Sequence, residues 1–139
     1  MRRVLFSLLI FIVTLAAAQE EAAAPPGYAA TLVRVVDGDT VVVMINLGWD
    51  TYTQKILRLA RVDTPELVGK MAEAGKKAQD FTMASLANRK LIVQPHGKDV
   101  YGRWVSSIIF KNPQGEWEDL SDALINGGYG EPYQPKKSK

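Results

Sequence analysis

The sequence predicts an α+β chain that is mainly β: five short strands closing a small barrel, with two helices packed on it. Three observations carry this. Five runs rich in Val, Ile, Leu and Thr lie between turn-forming residues, and two segments have helical periodicity. Their order is three strands, a helix, two strands, a helix. With 139 residues the chain has room for one core and not two.

Residues 28–36 are the first predicted strand, and Asp37-Gly38-Asp39 is a turn signal. Residues 41–47 are the second strand, Gly48-Trp49-Asp50 a hairpin loop, and 51–59 the third, which completes a meander. Asp39 then sits near the first turn and Arg58 at the end of the third strand. Pro65 disfavours helical geometry at Thr64, so residues 62–66 leave the strand in a bend. The longest helical candidate is 74–88, with Ala78, Phe81, Ala84, Ser85 and Leu86 facing the core and the charged side chains outside. Residues 91–94 are the fourth strand, 97–102 a loop and 103–110 the fifth. A short helix over 120–126 takes Asp119 as its N-cap and stops at Gly127-Gly128. Five strands in so small a chain point to the five-stranded OB-fold barrel.

The ends carry a different message. Arg2 and Arg3, an apolar run to Leu15 and then Ala16-Ala17-Ala18 have the layout of a secretory signal peptide over residues 1–18. The chain is therefore expected to be exported, secreted or periplasmic, and to meet the membrane only in transit. An uncut anchor is the competing expectation. Residues 19–27, rich in Ala and Pro, read as a disordered linker, 28–133 as the domain and 134–139 as a basic tail. There is no cysteine, so no lipid attachment at the cleavage site and no disulfide. Of 17 basic residues Arg2 and Arg3 leave with the leader, so the mature part holds 15 against 15 acidic residues. Overall basicity then argues nothing about nucleic acid, and any attraction for phosphate has to be local.

The local pattern does argue. Asp39 and Asp63 are oxygen ligands on turns that can converge at one barrel mouth, with the Thr64 carbonyl nearby. Without cysteine and with one histidine, the donor set suits Ca²⁺ or Mg²⁺, and Ca²⁺ better tolerates an irregular, water-rich shell. Arg58 and Arg103 flank strand ends, and a guanidinium can fork two phosphate oxygens at any working pH. Glu66, three residues past Asp63, is placed to orient or deprotonate a water. Each piece alone has a plainer reading: a turn, a salt-bridged arginine, a glutamate that opens a helix or adds a metal ligand. His96, the only imidazole, reads as structural or solvated.

In combination the pieces resemble a known family. Asp37-Gly38-Asp39-Thr40, then Arg58, then Val62-Asp63-Thr64-Pro65-Glu66, then Tyr101-Gly102-Arg103 resembles staphylococcal nuclease, the thermonuclease family, over about residues 28–130. The resemblance implies the OB-fold barrel with Ca²⁺ on Asp39, Asp63 and the Thr64 carbonyl. It implies Arg58 and Arg103 on phosphate and Glu66 on the attacking water, with Tyr101 near a phosphate and Tyr133 loosely matched to a base-stacking tyrosine. It further implies a monomer hydrolysing DNA and RNA with little sequence preference, leaving 5′-hydroxyl and 3′-phosphate ends. Four departures stand out. The hairpin around Trp49 is longer, Val100 replaces a substrate-contacting lysine, Arg61 replaces a small or apolar residue, and the family's third, C-terminal helix is expected to be missing. A barrel that binds nucleic acid or protein without catalysis is the alternative expectation.

Overall fold

The computed structural model describes residues 21–133. The predicted signal peptide, the first two linker residues and the basic tail lie outside the described residues. The elements are β1 (Tyr28–Asp37), β2 (Thr40–Gly48), β3 (Thr51–Leu59), β4 (Val62–Asp63), a 3₁₀ turn (Gly69–Met71) and α1 (Ala72–Leu86). Then come β5 (Leu91–Lys98), β6 (Trp104–Lys111), β7 (Trp117–Asp119), α2 (Leu120–Asn126) and β8 (Glu131–Pro132).

The main sheet runs β3-β2-β1-β5-β6-β7. A parallel pairing of Leu57, Arg58 and Leu59 with Trp104, Val105 and Ser106 joins β3 to β6 and closes five strands into a barrel. The predicted barrel and both helices are therefore present. Three short strands were not anticipated, because two or three residues leave no alternation to read. The predicted fourth strand stopped at Gln94, but β5 runs on through Pro95 to Lys98 over an irregularity between Pro95 and Gly97. Pro95 is tolerated at such a break in the ladder.

Alternation of side chains fills the barrel. Val41, Val43, Leu57, Leu59, Val93 and Ile108 point inward with almost no exposed surface, and Leu120 and Leu124 of α2 complete the same core. Helix α1 differs from expectation on one side. Gly75, Ala78, Thr82 and Leu86 are its buried residues, while Ala84 is exposed. Small residues at that spacing let the helix lie close to the β1–β2 turn. Phe81 is only half-buried and stacks on Tyr129 with ring centroids 4.5 Å apart.

The β2–β3 hairpin turns through Trp49 and Asp50, both left-handed at φ 53° and 56°. Two such residues in succession match the turn twist that hairpins need, but Asn-Gly would adopt it with far less strain. Trp49 is 98 % exposed, so packing does not offset that strain. The linker residues 21–27 have no helix or strand. They are not free, contrary to the expected disorder. Trp117 Nε1 donates to the Ala22 carbonyl (3.1 Å), Gln94 Nε2 to that of Pro26 (2.7 Å), and Lys111 pairs with Glu21.

Candidate active site

The β1–β2 turn is clamped from outside by α1. Thr82 Oγ1 donates to the Gly38 carbonyl (2.7 Å) and Gln79 Nε2 to that of Val36 (3.1 Å). A β-carbon on Gly38 would stand 2.7 Å from Ala78 Cβ and 2.8 Å from Thr64 Oγ1, so only glycine lets helix, turn and the Thr64 loop meet. The turn thus delivers a buried Asp39. Its Oδ1 accepts from Thr40 Oγ1 (3.1 Å), and its Oδ2 accepts from the Thr64 backbone N–H (2.9 Å).

Arg58 draws the next residues to the same point. Its Nη1 donates to the carbonyls of Val62 (2.8 Å) and Leu59 (3.2 Å) and lies 3.2 Å from Asp39 Oδ2. Its Nη2 lies 2.9 Å from Asp63 Oδ1. Asp39, Arg58, Asp63 and Thr64 therefore form one connected cluster, with Arg58 nearly buried and Asp63 well exposed. The plainer reading of Arg58 as a salt-bridged strand-end arginine holds for this geometry, but its partners are the two carboxylates expected to bind metal.

Asp37 lies behind the cluster. Its Oδ1 accepts the Asp39 N–H at 3.2 Å. Burial, followed by the hydrogen-bonding and repulsion of the Asp39 carboxylate, pushes the Asp37 carboxyl up to about 6.

Arg103 is built separately. Asp99 Oδ1 accepts the N–H groups of Tyr101 and Arg103, each at 2.9 Å, and its Oδ2 accepts Arg103 Nε at 2.7 Å. Desolvation alone would raise the Asp99 carboxyl; the backbone and side-chain bonds from Arg103, then that from Tyr101, outweigh it and hold it below the ordinary value. Only Nε of Arg103 is engaged, so both Nη groups make no hydrogen bond among the described residues. The same arginine sits 5.5 Å from the centre of the Tyr101 ring, as Arg58 sits 5.7 Å from that of Tyr133. No direct contact joins Arg103 to the Arg58 cluster; the β3–β6 pairing, with Arg58 opposite Val105, brings the two groups alongside.

Glu66 is exposed, and its side chain makes no hydrogen bond or ion pair among the described residues. Its backbone is tightly held. A β-carbon on Gly75 would stand 2.3 Å from the Glu66 carbonyl oxygen. His96 is exposed, and its Nε2 lies 2.9 Å from Ser107 Oγ.

Arg61, to which the sequence attached no role, is a strut. It is left-handed at φ 65°, and its guanidinium reaches Asp119, the N-cap of α2, and Asp122 within α2, both at 2.9 Å. Its carbonyl accepts the Tyr133 N–H at 2.8 Å, and Ser121 Oγ donates to the neighbouring Ala60 carbonyl at 2.5 Å. The β4–β8 ladder then sets Asp63 opposite Glu131. The positive φ has no sequence signal, and ion pairs across 58 and 61 residues are invisible to any local pattern.

Among the described residues no three acidic or histidine side chains gather closely enough to form a metal cage on their own. Asp39 and Asp63 nevertheless converge on one guanidinium, and their hard oxygen atoms are the donors a water-rich Ca²⁺ shell uses.

The chain is similar to known proteins over much of this region. Residues 56–139 match the family described as staphylococcal nuclease homologue, a span holding Arg58, Asp63, Thr64, Glu66 and Arg103. The chain is 37 % identical over 82 residues to a thermonuclease of Staphylococcus hyicus, covering 55 % of this chain and 46 % of that protein. It is 30 % identical over 130 residues to an uncharacterized protein of Methanocaldococcus jannaschii, covering 76 % of this chain and 59 % of that one. The chain thus spans about half the length of the curated relatives it matches.

Proposed function

This chain belongs to the staphylococcal nuclease family, and on that premise we propose that it is an exported, monomeric, Ca²⁺-dependent phosphodiesterase. Its substrates would be DNA and RNA, cut with little sequence preference to 5′-hydroxyl and 3′-phosphate ends. One observation supports this above all: Asp39, Arg58, Asp63 and Thr64 share a single hydrogen-bonded cluster, while Arg103, its Nη groups unspent among the described residues, directly precedes the strand paired with Arg58.

Asp39, Asp63 and the Thr64 carbonyl would hold the cation, which supplies positive charge to the phosphate. Arg58 is pre-aimed by carboxylates and carbonyls, so its reorientation cost on binding substrate is small. Arg103 is fixed at Nε by Asp99 and offers a fork to the phosphate oxygens. Together the two arginines neutralise the charge that builds as water attacks phosphorus and the bond to the 5′ oxygen breaks. Glu66, whose side chain has no other partner among the described residues, orients that water or takes its proton. Tyr101 and Tyr133 stand beside the two guanidiniums as stacking surfaces.

The test is direct. Residues 19–139 are expected to degrade single-stranded DNA with Ca²⁺ and to stop on addition of a chelator. Undiminished cleavage in chelator would remove the metal from the reading. Binding of DNA without cleavage under any Ca²⁺ concentration would favour the non-catalytic barrel.

A further inference from the structure

Away from the Asp39 turn the barrel opens onto a cavity of about 330 Å³, within the range of about 300–1,000 Å³ usual for ligand sites. Tyr28, Leu47, Lys55, Leu57, Trp104 and Ser106 are among its walls, and no acidic residue lines it. Lys98 lies 5.2 Å from the centre of the Trp104 ring, so two cations flank the opening. Ser106 is fully buried, and its Oγ has no hydrogen-bond partner among the described residues. Nothing in the chemistry assigned above uses any of these groups.

We propose that this cavity is a subsite for one unpaired base of a single-stranded nucleic acid whose neighbouring phosphate rests on Arg103. The inference rests on the phosphodiesterase reading and extends it to the strand beyond the cut. Trp104, the first residue of β6, follows Arg103 directly in the chain, so a strand held at that guanidinium reaches the cavity by passing round the start of β6. Successive strand residues face opposite sides: Leu57 lines the cavity and Arg58 the outer cluster, opposite Trp104 and Val105 respectively. Phosphate fork and base cavity therefore share the same two strands. Aromatic walls with lysines at the rim are what stacked bases and their phosphates need. A paired base must first unpair and unstack to enter, at a cost of about a few kcal/mol, so the site favours single strands.

The full-length protein, in chelator so that nothing is cut, is titrated with a fluorescein-labelled oligothymidylate and with a duplex of equal length. Trp104→Ala removes the stacking wall, and Thr53→Phe fills the cavity from another wall while keeping the tryptophan. Both are expected to weaken single-strand binding about tenfold and to leave duplex binding within twofold. Single-strand affinity within twofold of the parent in Thr53→Phe overturns the proposal, and so does an equal loss for duplex. If Trp104→Ala fails to fold, Thr53→Phe alone decides. A fluorescent fatty acid that the parent binds and oligothymidylate does not displace overturns it in favour of lipid. Hydrolysis with Ca²⁺ separates the two readings. A parent that cuts, with both variants binding normally, removes the subsite and keeps the enzyme. A parent that never cuts, with the selective loss intact, removes the enzyme and keeps the subsite.

Discussion

Gly75 and the carbonyl of Glu66 are in bare backbone contact: an added β-carbon would come within 2.3 Å of that oxygen and 2.8 Å of the Pro65 oxygen. Helix α1 thereby fixes the loop carrying Glu66, whose carboxylate has no partner among the described residues. Gly75→Ala would gain helix propensity of about 1 kcal/mol but must push helix and loop apart, at a cost of about 1–3 kcal/mol. Its expected signature is a fall in kcat of tenfold or more with a modest change in urea midpoint. Parent-like turnover would show that the position of Glu66 does not depend on this contact.

Glu66→Gln keeps the shape and removes the base. Because the side chain is exposed and, among the described residues, unpaired, stability should stay within about 0.5 kcal/mol, while turnover falls by roughly 10²–10⁴. Steady-state kinetics and thermal unfolding on the same preparation check both halves.

The two arginines should separate. Arg58→Ala leaves the buried Asp39 carboxylate without its cation, so it should cost about 2–3 kcal/mol of stability as well as rate. Arg103→Ala removes a half-exposed side chain paired, among the described residues, only with Asp99, and stability should fall by less than about 1 kcal/mol. Both should lower turnover by roughly 10²–10³. Equal destabilisation in the two variants would contradict the asymmetry of burial.

Asp37 sets a pH dependence. Its folded carboxyl titrates at about 6 against an ordinary 3.8, so the stability it contributes is complete below the ordinary value and is lost as pH rises through about 6. Asp37→Asn removes that loss. In chelator the variant should be more stable than the parent by about 1 kcal/mol at pH 7, the difference vanishing near pH 4. Urea unfolding at the two pH values measures it.

The hairpin tip offers a stabilising change. Replacing Trp49-Asp50 by Asn-Gly puts residues that accept left-handed φ where both φ values are positive. A gain of about 1 kcal/mol is expected, with no change in turnover on short substrates.

The sequence made the barrel and most of the site legible because the relevant signals are local. Strand β3 and helix α2 have the bounds that alternation and capping predict, and Asp119 caps α2 by accepting the Ser121 N–H at 2.8 Å. Asp39, Arg58, Asp63 and Thr64 converge because a turn, a strand end and a proline-bent loop each carry their own mark. Arg61, the β4–β8 ladder and the exposure of Ala84 were not legible. Each depends on partners far along the chain or on how deeply a small-faced helix can settle. Arg61 in particular looked like a stray charge, and only its pairing with Asp119 and Asp122 explains it.

The parallel seam between β3 and β6 has one more consequence. It is only three residue pairs long, joins positions 47 residues apart in the chain, and is the last pairing needed to close the ring. Loop closure over that distance is slow compared with hairpin formation. The same seam sets Arg58 alongside the strand that starts after Arg103. An open-ringed intermediate can thus hold all its hairpins and still have its two phosphate forks unaligned. Recovery of cleavage on refolding should therefore lag behind recovery of β-sheet signal, making activity a clock for ring closure.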